Sequence, residues 1–479
     1  MSHKEGINVK KKAAILLVTS LLLGLTLAGC KTPSISKSGL QAVELEDHQM
    51  LIGSESFGGV LTDYCVTESG IFALKNGLMR YYEFSSKQNY VLCGRANCSH
   101  KDISCPAYYY ELPTNNAVGL AMVGEALYVV KRNEEKNAYE LLQTNLYGEQ
   151  QKVVYSLDIG DVQPGNWVVQ EVIHVYYARD MAWLEVNYSY VETDLSYGSY
   201  SQNGVIGIRL SDGKELYRSE LELNQGNYSV VLLSADYAVL EKDWDTVPLV
   251  PQEEFYVAME KGEYQEFRDS VNPYADYYDV WSSEMQQPMY EFILYNVASG
   301  QTSAADSGTI RMYYNDNGEV NGGGTGRFYM GQTCDGYVLY FEFGADFSLN
   351  HGGSVDVYRW NPKTDGVENI LHIPKGNVKV LNAQNPLFIC MTRDGAGFYY
   401  YLTSESEEGD LYTFYHYTLE TGESTKLFQT DLENEFNTQG ETADSFFGKI
   451  SSRPDNSFYQ ISKEDYEKGN YAAAEKLPV

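Results

Sequence analysis

Beyond about Leu40 no part of the chain keeps one character for long. Short aromatic or β-branched runs, such as Tyr128-Val129-Val130, Tyr337 to Phe341 and Phe398 to Leu402, alternate with turns built from Gly, Asn and Asp. Such runs, punctuated about every 8–12 residues, indicate antiparallel strands, because branched and aromatic side chains suit a pleated, half-buried surface. No long stretch carries a 3.6-residue apolar period; the best helix candidates are two short C-terminal segments, Lys463–Lys468 and Tyr471–Lys476.

One phrase recurs on top of this pattern. The segment 295–301 (YNVASGQ) matches 417–423 (YTLETGE), and related units lie at 208–214 (IRLSDGK), 144–149 (TNLYGE) and, with a longer loop, 358–366 (YRWNPKTDG). Each is the end of a strand, a polar residue beside Gly, and the start of a second strand. The glycines at 148, 213, 300, 366 and 422 are expected to supply the positive φ of a tight hairpin turn. Their spacing suits units of about 40–50 residues carrying surface insertions. The fold expected is therefore all-β: a β-propeller of six to seven blades, each a four-stranded sheet packed on its neighbours. Blade cores fall near residues 60–93, 119–157, 172–220, 230–304, 333–373 and 386–428. A partial unit at 446–462 is either a seventh blade or closes the ring with strands from 40–52. A pair of β-sandwich domains is the competing architecture, which does not account for the repeated phrase.

The N-terminus has a separate logic. Lys10, Lys11 and Lys12 precede an uncharged stretch, Ala13 to Leu27, which ends in Ala28-Gly29-Cys30. This is the charged, apolar and small-residue order of a secretory signal, and the stretch falls short of the roughly 20 residues that cross a bilayer. Leu27-Ala28-Gly29-Cys30 resembles the lipobox of bacterial lipoproteins, which implies cleavage before Cys30 and a diacylglycerol on its thiol. The expected organisation is a lipoprotein signal peptide (1–29), a lipidated Cys and flexible tether (30–45), and one propeller domain (46–479). The expected location is the extracytoplasmic face of the cell membrane, with the membrane a partner through Cys30.

The full chain has 35 Lys+Arg against 66 Asp+Glu, a net charge of −31. Without Lys4, Lys10, Lys11, Lys12 and Glu5 the mature chain keeps 31 against 65, a net of −34. Nucleic acid is excluded as a partner, because phosphate contacts need a basic face. Disorder is excluded by an aromatic content of 14%.

The segment after the first blade interrupts the strand pattern with Cys93, Cys98, His100 and Cys105, a C-x4-C-x-H-x4-C cluster. Four such ligands could wrap one tetrahedral Zn²⁺ as a structural site. A disulfide between two of the three cysteines is the favoured reading for an exported chain, ahead of the metal, and reduced thiols are the third. Six cysteines follow Cys30, at 65, 93, 98, 105, 334 and 390. Taken together, the lipobox, the blade repeats, this cluster and the closing phrase Ile461 to Tyr466 resemble a group of Firmicutes surface lipoproteins with TolB-like β-propeller domains. The resemblance covers nearly the whole mature chain and carries over no catalytic residue.

Familiar catalytic motifs are missing from the sequence. There is no G-x-S-x-G elbow and no H-E-x-x-H, and Gly322 to Gly326 lacks the G-x-G-x-x-G register. Asn315 to Glu319 offers oxygen ligands but reads more simply as an Asn-Gly hairpin tip. The insertion containing Asp276, Tyr277, Tyr278, Asp279 and Trp281 mixes flat apolar rings with carboxylates, as a carbohydrate-recognition surface does. The favoured reading is a non-enzymatic binding or scaffold protein for a protein, peptide or glycan. The alternative is a propeller lyase or hydrolase acting on envelope or host polysaccharide.

Overall fold

The computed structural model describes residues 64–75, 78–93, 95, 98–101, 104–109, 119–145, 150–191, 197–223, 226–234, 236–246, 252–263, 287–314, 320–344, 353–374, 388–406, 409–431, 436–453 and 457–478. These form seven four-stranded sheets, each a simple up-and-down meander, with one extra two-stranded hairpin. Blade 1 comprises β1 (Tyr64–Val66), β2 (Gly70–Lys75), β3 (Leu78–Glu83) and β4 (Gln88–Val91), and blade 2 comprises β5 (Ala121–Val123), β6 (Ala126–Asn133), β7 (Ala138–Asn145) and β8 (Lys152–Asp158). Blade 3 holds β9 (Trp167–Ala178), β10 (Met181–Val191), β11 (Tyr197–Arg209) and β12 (Glu215–Arg218). Blade 4 holds β13 (Asn227–Leu233), β14 (Tyr237–Asp245), β15 (Pro288–Asn296) and β16 (Gln301–Thr309), with helix α1 (Gln252–Glu260) between its middle strands. The hairpin β17 (Arg311–Tyr314) and β18 (Val320–Gly324) follows. Blade 5 is β19 (Arg327–Gln332), β20 (Val338–Phe343), β21 (Val355–Asn361) and β22 (Gly366–Ile373); blade 6 is β23 (Phe388–Met391), β24 (Gly397–Ser406), β25 (Gly409–Thr418) and β26 (Glu423–Thr430). Blade 7 is β27 (Phe436–Glu441), β28 (Ser445–Ile450), β29 (Tyr459–Ser462) and β30 (Glu475–Lys476), with helix α2 (Lys463–Glu467) and a 3₁₀ turn (Tyr471–Ala473) before its last strand.

First strands meet across blade boundaries, β1 touching both β5 and β27, so they line the axis of the ring. Fourth strands such as β16, β22 and β26 are mostly exposed and form the rim. Each of the seven blade boundaries has its own apolar cluster. Phe72, Tyr81, Leu127 and Val129 join blades 1 and 2, and Trp183, Tyr228, Leu240 and Tyr295 join blades 3 and 4. Ile71, Ala73 and Tyr82 meet Phe447, Phe458 and Leu477 where the ring closes. Tyr64 stacks on Phe458 there at 4.3 Å between ring centres, and Phe84 on Phe447 at 5.3 Å. Closure between blades 7 and 1 is thus by side-chain packing, and blade 7 is complete within 436–476; residues 40–52 lie outside the described residues.

The repeated phrase is the turn between third and fourth strands. Gly213, Gly300 and Gly422 have φ of 69°, 68° and 68°, and each donates its N–H to the carbonyl four residues back. Blade 5 departs from expectation: Asp365, not Gly366, takes the left-handed position (φ 56°) and makes the same bond to Asn361, so Gly366 only begins β22. Asp is one of the side chains that tolerate this region. Tyr471–Lys476 is likewise no helix. After one 3₁₀ turn it extends, and Glu475 and Lys476 pair with Gln460 and Tyr459 as the outer strand of blade 7. Pairing at an open sheet edge overrides the helix preference of its alanines.

Candidate metal centre and the loop-bearing face

In an up-and-down meander successive turns alternate between the two ends of the sheet, so connections fall into two sets on opposite faces of the ring. Turns between first and second strands are short in all seven blades, for example 124–125 and 179–180. The other face receives the second-to-third turns and the blade-to-blade crossings, and at that face the four longest connections leave and rejoin the sheets: 92–120, 246–287, 310–326 and 374–387. The longest connection opposite is 463–474.

The cysteine cluster stands at the root of the 92–120 connection. Leu92 is fully buried and its N–H still reaches the Met79 carbonyl (3.1 Å), which prolongs the edge of β4. From Cys93 the chain leaves the sheet, and Arg95 donates back to the Ser104 carbonyl. It returns at Cys105, 2% exposed, and docks on blade 1 through Met79 N–H to Ala107 O (2.8 Å) and a bridge between Leu78 and Tyr108. Gln151, just before β8, donates to Tyr109 Oη (3.2 Å) and to the Pro106 carbonyl, fixing the segment to blade 2 as well. Cys105, Ala107 and Tyr109 belong to the apolar cluster between these two blades, with Cys93 and Cys98 packed at its margin.

Within this frame one ligand atom each from Cys93, Cys98, His100 and Cys105 lies within 4.8 Å of every other. His100 takes a left-handed backbone (φ 55°), and its Nδ1 is 3.3 Å from Cys105 Sγ. Among the described residues this is the one group where three or more such ligands converge. Burial pushes the Cys105 thiol up to about 12 and raises Cys93, whereas the backbone N–H of His100 holds Cys98 below the ordinary thiol value.

The remaining described cysteines are not part of this group of converging ligand atoms. Cys65 Sγ accepts the Met122 N–H (3.2 Å), and burial pushes its thiol up to about 11. Cys390 is raised by burial on β23, and Cys334 is exposed in the first turn of blade 5. Cys30 and the recognition candidates Asp276, Tyr277, Tyr278, Asp279 and Trp281 lie outside the described residues.

Tertiary contacts reveal polar groups that the sequence did not. His174 and Glu185 are direct cross-strand partners in β9 and β10, with Nδ1 2.6 Å from Oε2. The other Glu185 oxygen accepts Val230 N–H of blade 4, so this pair ties two blades together. Arg327 bridges Asp306 (3.2 Å) and Glu342 (2.7 Å) beneath the Tyr340 ring. On β14, burial and Asp243 push Glu241, at the middle of the strand, up to about 7. Among the described residues no helix is long and apolar enough to cross a membrane.

No protein-family model matches the chain. No curated protein matches it. Among solved structures it is similar to an oligogalacturonate lyase in complex with manganese, at 11% identity and TM-score 0.42, over 88% of this chain and 95% of that one. It is similar to the β-propeller domain of the Trilobed protease from Pyrococcus furiosus at 9% identity and TM-score 0.40, covering 88% and 97%. TolB from Acinetobacter baumannii is similar at 14% identity and TM-score 0.25, covering 84% and 76%.

Proposed function

We propose that this chain is a lipid-anchored, extracytoplasmic propeller that binds a protein, peptide or glycan at its loop-bearing face and catalyses no reaction there. The observation carrying this reading is that all four longest connections leave and rejoin the sheets at one face, while the opposite face keeps short turns at nearly every blade. A rigid ring that displays variable loops from one side is a binding scaffold, because loops tolerate insertion and the packed blades hold their roots in place. The 246–287 connection, which includes Asp276, Tyr277, Tyr278, Asp279 and Trp281, is the longest of these and supplies the aromatic platforms. The lipobox-like Leu27 to Cys30 and the polar tether after it support the anchor, and the mature charge of −34 holds the ring off an anionic membrane surface.

Two measurements test this. A Lys31–Val479 fragment is screened on a glycan array and by pull-down from envelope extracts, beside a variant in which 262–286 is replaced by a short Gly-Ser linker. Ligands retained by the parent and lost by the variant support the reading. Turnover of a polysaccharide by the fragment, or binding unaffected by the deletion, would refute it. Separately, Cys30→Ala should abolish incorporation of labelled fatty acid and release the protein from the membrane fraction.

A further inference from the structure

We propose that Cys93, Cys98, His100 and Cys105 hold one zinc ion, which fastens the first blade to the second. A tetrahedral Zn²⁺ with Zn–S near 2.3 Å and Zn–N near 2.0–2.1 Å needs sulfurs about 3.8 Å apart and N–S edges of about 3.5 Å. The observed 3.3 Å from His100 Nδ1 to Cys105 Sγ fits such an edge, and the 4.8 Å limit on all four atoms describes a shell that contracts slightly onto an ion. The donor set is soft and borderline, which selects zinc over calcium or magnesium.

A disulfide uses the cluster less completely. Bonding any two of the three sulfurs leaves one thiol over; Cys65 borders the same apolar cluster but its Sγ accepts the Met122 N–H, and Cys334 and Cys390 belong to blades 5 and 6. It also gives no part to the imidazole, whose Nδ1 is turned onto the Cys105 sulfur. Zinc uses all four groups: three Zn–S bonds and one Zn–N bond form, and three thiol protons leave to solvent.

The location gives the ion its structural effect. Cys93 follows directly from the rim of blade 1, while the chain just after Cys105 bonds to Met79 in blade 1 and to Gln151 beside blade 2. Closing the four ligands on one ion therefore pins the root of the 92–120 connection to both blades. This inference does not depend on the binding role proposed above.

The test uses the full lipidated chain, extracted in detergent and purified without chelator. Elemental analysis should find close to one zinc per chain, and a thiol reagent should gain three reactive sulfurs when the metal is stripped. Replacement by Co²⁺ should produce the visible d–d absorption of a tetrahedral thiolate site. Cys98→Ser and His100→Ala, at the partly exposed positions, should each lower zinc content at least tenfold. Chelation should lower the parent's unfolding temperature and leave that of Cys98→Ser unchanged. Peptide mapping that finds a disulfide among Cys93, Cys98 and Cys105, or a parent chain without stoichiometric zinc, would overturn the assignment.

Discussion

Glu241→Gln should stabilise this protein at neutral and alkaline pH while leaving it nearly unchanged in acid. Burial on β14, reinforced by Asp243, pushes Glu241 from its ordinary 4.5 to about 7. Each pKa unit corresponds to 1.36 kcal/mol, so ionising this carboxylate costs the fold about 3 kcal/mol. Below pH 4.5 the side chain is protonated in both folded and unfolded chains, and no penalty arises. As pH rises from 4.5 the unfolded chain ionises first, and stability falls until the penalty is complete above about pH 7. Glutamine preserves the shape of the protonated acid and never ionises. Urea unfolding of parent and variant at pH 4.5 and pH 8 should show a difference near zero in acid and about 3 kcal/mol in favour of Gln at pH 8. The comparison cancels the opposite contributions of Glu140, Glu215 and Asp465, whose pKa values are lowered by Lys136, Arg218 and Ser462. An equal gain at both pH values, or a loss at pH 8, would refute the reasoning.

Three further outcomes follow from the packing. At Gly422, whose added Cβ would meet only the Tyr417 hydroxyl at 3.8 Å, Ala should cost about 1–2 kcal/mol for its left-handed backbone alone. At Gly213 the same Cβ would land on the Val154 carbonyl of blade 2, so Ala there should cost clearly more in the same denaturant assay. Trp183 is fully buried between blades 3 and 4 with Tyr295 edge-on at 5.1 Å, and Trp183→Ala should destabilise by about 3–5 kcal/mol. Ring closure should respond in the same way: Phe447→Ala costs about 3–5 kcal/mol, whereas Lys87→Ala, which removes an exposed ion pair to Glu475, leaves the unfolding midpoint where it was.

Much of the ring can be read locally. The turn between third and fourth strands requires one residue with positive φ, and the polar-residue–Gly phrase marks it from neighbours alone, as Gly213, Gly300 and Gly422 bear out. The same phrase misled at Gly366, because Asp365 can meet that requirement as well. Helix α1 is not legible in the sequence because only Phe255 and Met259 of its one buried edge show a helical spacing. The last strand was hidden for another reason: Glu475 and Lys476 carry no apolar pattern and are defined only by the partners they bond. His174 and Glu185 are eleven positions apart in the chain yet face one another across two strands, a relation visible only once their register is known.

The amino-acid sequence by itself determined the all-β character, the approximate position of six blades, the proximity of four metal-ligand side chains and the acidity of the chain. Each depends on composition or on residues close together in sequence. Tertiary structure alone decided that there are seven blades, that blades 7 and 1 close by packing, and that the longest connections leave and rejoin the sheets at one face. Those properties arise from strand pairing and alternation, which relate residues far apart in the chain. Tertiary structure also turned a spacing of cysteines and histidine into a converged set of ligand atoms, because the two ends of that loop are held by the edges of blades 1 and 2.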